Sequence, residues 1–510
     1  MSQNSKKTVL VLGASGYVGG RLVPMLLEQG YRVRAGARKP DKLTCRHYAV
    51  HPDFEPVAVD VLDQKSLSSA CKDCIAVYYL VHSMGPSPKG QGDFASKDRI
   101  AARNMVKAAS QSSLRQIIYL GGLGDQGKDL SHHLKSRLEV GEILQSGPVP
   151  VTFLKAAMIL GAGSASFEVM RYLVERLPVM ITPKWVHTKS QPIAITNVLG
   201  YLSGCLDHPD TFGQTFEIGG PDVLSYSELF NIYCEEAGLP PRLIVPVPVL
   251  SPKLSSYWIH LVTPVPSSIA VPLAEGLRNT VVCHENRIQK IIPQTLLSCR
   301  EAISRALANV EKEEVDTCWT DAGEVNIPEW VACSDSKYSG GTIYEISFQV
   351  KLAAPPEKVW PGIESIGGKK GWYFADFLWR IRGMADKVLG GSGYRAGRRV
   401  QNELRYGDTV DFWRVIKVKK FEQLRLLAEM KVPGQAILEF ELFPDGQNCL
   451  LVQRARFYPK GLLGLAYWNS LTPAHNWLFK GMLEKIALSS GIKIISGPEP
   501  AQDSSTTCRL

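Results

Sequence analysis

No run of about 18 uncharged apolar residues, the length a membrane-crossing helix needs, occurs in the 510-residue sequence. The nearest stretch, Trp258 to Leu277, carries Pro264, Pro266 and Pro272. These oppose a regular spanning helix, so a surface-lying or pocket-lining segment is expected there. A disulfide framework is also missing. The eleven cysteines are odd in number and scattered, which fits free thiols in a reducing cytosol. Cys71 and Cys74 stand in C-x-x-C spacing, but without a second pair they are expected to be structural thiols and not metal ligands. The polar start, Met1 to Lys7, lacks the apolar core of a secretory signal. Charge of one sign is not concentrated: the net charge is +9 and charged residues make up 21%. That falls short of a dedicated nucleic-acid binder. The expected compartment is the cytoplasm, with the inner face of a membrane as a place of peripheral contact.

What is present is an alternation of short apolar runs and helical patterns. Thr8 to Leu12, Tyr31 to Ala37, Pro56 to Asp60, Ile75 to Val81, Gln116 to Leu120 and Val151 to Leu154 read as strands. Gly20 to Gln29, Asp98 to Ser110 and Leu134 to Gln145 read as helices. This spacing predicts an α/β Rossmann fold with a doubly wound parallel sheet. It is expected to fill residues 1–325, with a small lid or substrate subregion from about 215 to 325. Ser225 with Glu228 three residues on predicts a helix start. A linker at 326–341 follows. Residues 342–492 read differently: a strand from Thr342 to Leu352, a helix from Pro355 to Ile363, and an aromatic stretch, Lys369 to Gly393. Four strands follow, at Asp408 to Val418, Leu424 to Lys431, Ala436 to Leu442 and Cys449 to Tyr458. A helix from Leu462 to Ser489, broken near Pro473, closes an α+β domain. Residues 493–510 are expected to be a disordered tail.

The loop Gly13-Ala14-Ser15-Gly16-Tyr17-Val18-Gly19 directly follows a strand and opens a helix. Its glycines permit a tight turn, close approach of backbone to a pyrophosphate, and close helix–strand contact. The helix start supplies N–H groups and a positive dipole end. Gly13, Ser15, Gly16, Tyr17, Val18 and Gly19 are therefore expected to bind a dinucleotide. The second strand ends at Ala37-Arg38-Lys39, where an NAD-selective site carries an acidic residue. Arg38, helped by Lys39, suits a 2′-phosphate, so NADP(H) is expected over NAD(H).

With these residues the N-terminal half resembles the atypical, extended branch of the short-chain dehydrogenase/reductase superfamily. Asp60-Val61 is similar to its adenine-contacting pair, Leu80-Val81-His82 to its segment against the cofactor, and Asn104 to its structural Asn. Asp98-Arg99, Ile118 to Gly124 and Phe167 to Pro183 resemble a bacterial group of NAD(P)-binding proteins related to an accessory subunit of respiratory complex I. In that group a C-terminal polyketide-cyclase/START (helix-grip) domain is common. Pro355 to Trp360, Gly371-Trp372-Tyr373, Leu378-Trp379-Arg380 and Asp411 to Val415 are similar to its motifs. The resemblance implies a helix-grip fold at 342–492.

It also implies a Ser, a Tyr and a Lys four residues beyond the Tyr as catalytic set. This sequence departs from it. No Tyr-x-x-x-Lys follows the fifth strand; His133 stands at the Tyr position and Arg137 at the Lys position. The Ser position falls near Gly122 or Leu123, which lack a hydroxyl. His133 is a candidate general acid near neutral pH, Arg137 a holder of a ribose hydroxyl or phosphate, and His82 an alternative donor. Alcohol–ketone interconversion is disfavoured. The expected function is an NADP(H)-binding oxidoreductase acting on an apolar small molecule such as a quinone, enone, lipid or isoprenoid. The alternative is a non-catalytic NADP(H)-binding sensor or scaffold, membrane-apposed. In the second domain Lys369, Lys370, Arg380, Arg382, Lys387, Arg395, Arg398 and Arg399 interleave with aromatic residues. Core packing with solvated charges, or a membrane surface, explains this better than nucleic acid. Asp408, Asp411 and His475 could point into a pocket, with no metal implied.

Overall fold

The structure, a computed structural model, describes residues 6–44, 46–81, 94–124, 130–247, 275–276, 279–311, 343–388, 393, 398, 400, 402–459 and 461–501. It divides into two units, Met1–Ala322 and Gly323–Leu510.

In the first unit, apolar runs flanked by helices form strands, the central ones buried on both faces. β1 (Thr8–Leu12), β2 (Arg32–Ala37), β3 (Phe54–Ala58), β4 (Ala76–Tyr79), β5 (Gln116–Gly122), β6 (Val151–Ala156) and β7 (Thr215–Ile218) make one sheet in the order β7-β6-β5-β4-β1-β2-β3. Every pairing is parallel. The chain therefore reverses direction of winding between β1 and β4, the place where such sheets open a crevice at their C-terminal ends. On one face α1 (Gly19–Glu28) packs Leu22, Val23 and Leu26 against Val9, Val11 and Val33. On the other, α2 (Phe94–Ser110) and α3 (His132–Gln145) bring Met105, Val140 and Leu144 onto Leu10, Tyr79 and Tyr119. The start of the expected lid region is corrected: Thr215–Ile218 belongs to the main sheet, paired with β6. Beyond it, α4 (Ala165–Arg176), α5 (Tyr226–Glu236) and α6 (Cys299–Glu311) share a separate core around Phe167, Tyr233 and Ile303. The helix start at Ser225 is a reciprocal capping box with Glu228.

The second unit is antiparallel. β8 (Tyr344–Leu352), α7 (Pro356–Glu364), α8 (Asp376–Val388), β9 (Thr409–Val410), β10 (Trp413–Lys419), β11 (Gln423–Ala428), β12 (Gly434–Asp445), β13 (Asn448–Pro459), α9 (Gly461–Ser489) and β14 (Ile494–Pro500) follow in sequence. The sheet order is β9-β10-β11-β12-β13-β8-β14. Alternate residues of β8, β12 and β13 face α9 and build the core with Trp468, Phe479, Met482 and Ile486. This is a helix-grip-like arrangement.

Three sequence expectations change here. Asp408 to Val418 is two strands, because Asp411 turns the chain at φ 53. The final helix is unbroken: Pro473 sits inside it. A proline there forfeits one backbone bond, and the core contacts on both sides, from Trp468 to Ile486, outweigh that loss. Part of the expected tail is a strand, since Ile494–Pro500 pairs with β8 and supplies it with a second neighbour.

Candidate functional site

The loop after β1 is shaped by contacts that exclude side chains. Gly13 has φ +81, and a Cβ there would lie 2.8 Å from the Leu80 carbonyl oxygen. A Cβ on Gly19 would lie 2.3 Å from the Gly13 carbonyl oxygen. Gly16 N–H donates to that oxygen at 2.9 Å, closing the turn. The start of α1 thus sits directly on the loop, with the positive end of its dipole facing the turn. These features fit a dinucleotide, which supplies a transferable hydride when bound. Ser15, Tyr17 and Val18 line the same turn and are partly exposed.

Tyr17 reaches further than the sequence suggests. A Cβ on Gly161 would lie 2.5 Å from its hydroxyl. Arg21 donates to the Tyr17 hydroxyl at 3.2 Å and to the Ala162 carbonyl at 2.9 Å, and lies 4.5 Å from the Tyr17 ring centroid. The loop is therefore fastened to the segment that follows β6. Arg21 escaped the sequence reading because a lone arginine on a helix carries no motif.

The residues expected at an adenine end lie just beyond β2 and β3. Arg38 and Lys39 are exposed immediately beyond β2. Asp60 is exposed after β3, and its carboxylate accepts from the Leu62 N–H at 2.9 Å. Asn104 on α2 donates to the carbonyls of Val61 and Leu62 at 3.1 and 2.9 Å, which fixes that turn. Leu80 and Val81 directly follow β4, beside Gly13. His82 lies outside the described residues.

In the core beneath α2 and α3, Tyr79, Tyr119 and Phe153 form a buried aromatic row, with centroids 5.9 and 4.8 Å apart. The Tyr119 hydroxyl donates to the Arg137 carbonyl at 2.9 Å and so sets α3 against β5. α3 begins just past the C-terminal end of β5, placing His133 and Arg137 one turn apart near the crevice. Burial, and then the Arg137 charge, push the His133 imidazole down to about 3. This shift favours the neutral imidazole near pH 7 over the imidazolium that a general acid would start from. The hydroxyl position is closed too. A Cβ on Gly122 would lie 2.7 Å from Leu134 Cδ2, and Leu123 is buried.

In the second unit Asp411 is fully buried and accepts from Trp372 Nε1 at 2.8 Å. Burial pushes its carboxyl up to about 6. Asp408 accepts from the Arg405 N–H at 2.8 Å. His475 lies on α9 between Trp468 and Phe479, and burial pushes it down to about 4. Cys71 and Cys74 are buried thiols, pushed up to about 12 and about 11. Among the described residues no His, Cys, Asp or Glu group could hold a metal, and no helix is long and apolar enough to cross a membrane.

Two family models match. Residues 13–159 match a family described as NAD(P)H-binding, and residues 338–482 match a protein family of unknown function, DUF2867. Among curated proteins, cinnamoyl-CoA reductase 1 of Petunia hybrida is 28% identical over 24% of this chain and 38% of its own length. A mitochondrial NADH dehydrogenase (ubiquinone) 1 alpha subcomplex subunit 9 of Arabidopsis thaliana is 23% identical over 47% of this chain and 60% of its own. The chain thus spans less than two thirds of these relatives. A solved nucleoside-diphosphate-sugar epimerase from Staphylococcus aureus is 16% identical with a TM-score of 0.48, covering 58% of this chain and 99% of that one. The N-terminal unit thus carries an NAD(P)H-binding match over residues 13–159 on a Rossmann-like parallel sheet, and the C-terminal unit a separate DUF2867 match over residues 338–482.

Proposed function

We propose that the protein is an NADP(H)-dependent oxidoreductase acting on an apolar small molecule whose reduction needs no acid catalyst of the usual tyrosine kind. The observation that carries this reading is the half-buried His133, one helical turn from Arg137 at the start of α3, with its imidazole pushed down by burial and by the Arg137 charge. Strongly perturbed titratable groups cluster at functional sites, which supports this reading. The neutral imidazole can donate one N–H to a substrate oxygen and polarise it, while the balancing proton comes from water. Arg137 favours negative charge that develops on that oxygen. Such a site suits a quinone or enone better than a simple ketone. Arg38 and Lys39, without an acidic neighbour at the strand end, favour the 2′-phosphate of NADP(H).

The apolar nature of the ligand is supported by the second unit. Gln453 shares the inward face of β13 with Leu451 and Ala455, opposite Phe348 and Phe440. It is 1% exposed, and neither its amide nitrogen nor its oxygen has a hydrogen-bond partner among the described residues. His475 Nδ1 is in the same state. An apolar ligand with one polar end would satisfy such groups.

The Leu134 side chain against Gly122 favours a second reading, a non-catalytic NADP(H) binder. NADPH oxidation against quinones, enones and ketones separates the two. The expected outcome is turnover with quinones or enones. His133→Asn should then lower kcat about 10- to 100-fold with NADPH affinity unchanged. Tight NADPH binding with no turnover across the panel would leave only the binder.

A further inference from the structure

α8 exposes apolar surface where an amphipathic helix of a globular domain exposes charge. Trp379, Gly383 and Asp386 form its buried face. Phe377, Ile381, Met384 and Val388 are 59%, 57%, 66% and 74% exposed. Their spacing, i, i+4, i+7 and i+11, gathers them within an arc of about 60° at 100° per residue. Single exposed apolar residues are ordinary, but four large ones in one row along a helix are not. Trp477 of α9, 53% exposed, extends the row: its ring lies 4.7 Å from that of Phe374, three residues before Phe377.

On α8 and in the turn before it, the exposed charges among the described residues are cations. Arg380 is exposed on one shoulder of the stripe, and Lys387 lies on the same shoulder. Lys369 and Lys370 are exposed in the turn that precedes the helix. The two carboxylates of α8 are turned to backbone amides. Asp376 accepts from the Trp372 N–H, and Asp386 from the N–H groups of Gly393 and Lys431. The exposed arc of α8 thus offers a row of apolar side chains flanked by cations. A lipid surface bearing anionic headgroups meets both requirements: acyl chains for the row, phosphates for its shoulder.

We propose that the α8 face, with Trp477, docks the protein on an anionic membrane surface. This placement is independent of whether the N-terminal unit turns over. It would bring the protein to where apolar substrates dissolve.

The test uses the full-length protein and extruded vesicles of phosphatidylcholine, with or without 30 mol% (roughly a third) phosphatidylglycerol, in a co-sedimentation assay. Binding is expected with the anionic vesicles and weak with the neutral ones, and about 0.5 M salt should reduce it by screening. Ile381→Glu with Met384→Glu should weaken binding at least about tenfold. Arg380→Glu should weaken it less, and NADPH affinity should stay unchanged as a check on folding. Equal sedimentation of the wild type and the double variant would overturn the proposal. So would absence of vesicle binding, or a wild-type dimer that the double variant dissociates, which would assign the face to a second copy of the chain.

Discussion

The two sheets of this protein use their residues in opposite ways. The parallel sheet builds its site from backbone: Gly13 and Gly19 matter because they carry no side chain. The antiparallel sheet separates two side-chain faces. Its inner face is apolar with a few neutral polar groups, Gln453 among them. Its outer face carries ion pairs: Arg425 with Glu439, Arg414 with Glu429, and Arg456 with Glu345 at 2.5, 2.8 and 2.9 Å. Backbone recognition fixes residue identity, because only glycine fits. Side-chain faces need only polarity and volume, so many sequences serve.

That contrast can be broken most sharply at Gly19. Gly19→Val forces side-chain atoms against the Gly13 carbonyl and should weaken NADPH binding by more than about 100-fold, measured by calorimetry, with far-ultraviolet circular dichroism unchanged. Retained binding would show that the cradle tolerates side chains. In the second unit the comparable change is stabilising. Asp411 has a folded pKa of about 6 against 3.8 in the free group. Its contribution is present below about 3.8 and is lost as pH rises through 6. Asp411→Asn keeps an acceptor for Trp372 Nε1 and should stabilise the protein at pH 8 by about 2–3 kcal/mol, read from the urea midpoint. Little gain is expected at pH 4. His133 and His475 act with the reverse sign: pushed down to about 3 and about 4, they contribute stability above pH 6.5 that is lost as pH falls toward those values.

Arg38→Ala should cost NADPH binding about 1.5–3 kcal/mol and NADH binding little, since only the 2′-phosphate is lost as a partner. Equal losses would remove Arg38 from the phosphate. The smallest effect is expected on the outer face. Arg456→Ala breaks a partly exposed pair and should change stability by less than about 1 kcal/mol. A larger loss would mean that the ion pairs there act as one network.

What the sequence made legible follows the same division. The parallel sheet, the loop and its helix were readable because periodicity and glycine spacing are local signals. The strand break at Asp411 was not, because a single aspartate at positive φ looks like any other. The continuity of α9 through Pro473 was hidden for a different reason: tertiary packing overrode a local breaker. His133 was legible as a candidate but not as a neutral one, since burial against Arg137 is a property of the fold. The stripe on α8 was read as aromatic and basic composition, and its outward direction emerged only when Trp379 and Gly383 turned inward.

The fastening of Tyr17 and Arg21 to Gly161 and Ala162 bears on how the protein answers its cofactor. A loop held in its binding shape by the fold has little ordering left to do when a ligand arrives. Its conformational entropy was surrendered during folding. Occupancy of the cradle should then rise hyperbolically with cofactor concentration, without lag or threshold, and residence time should depend on contacts at the two ends of the dinucleotide, with no contribution from loop opening.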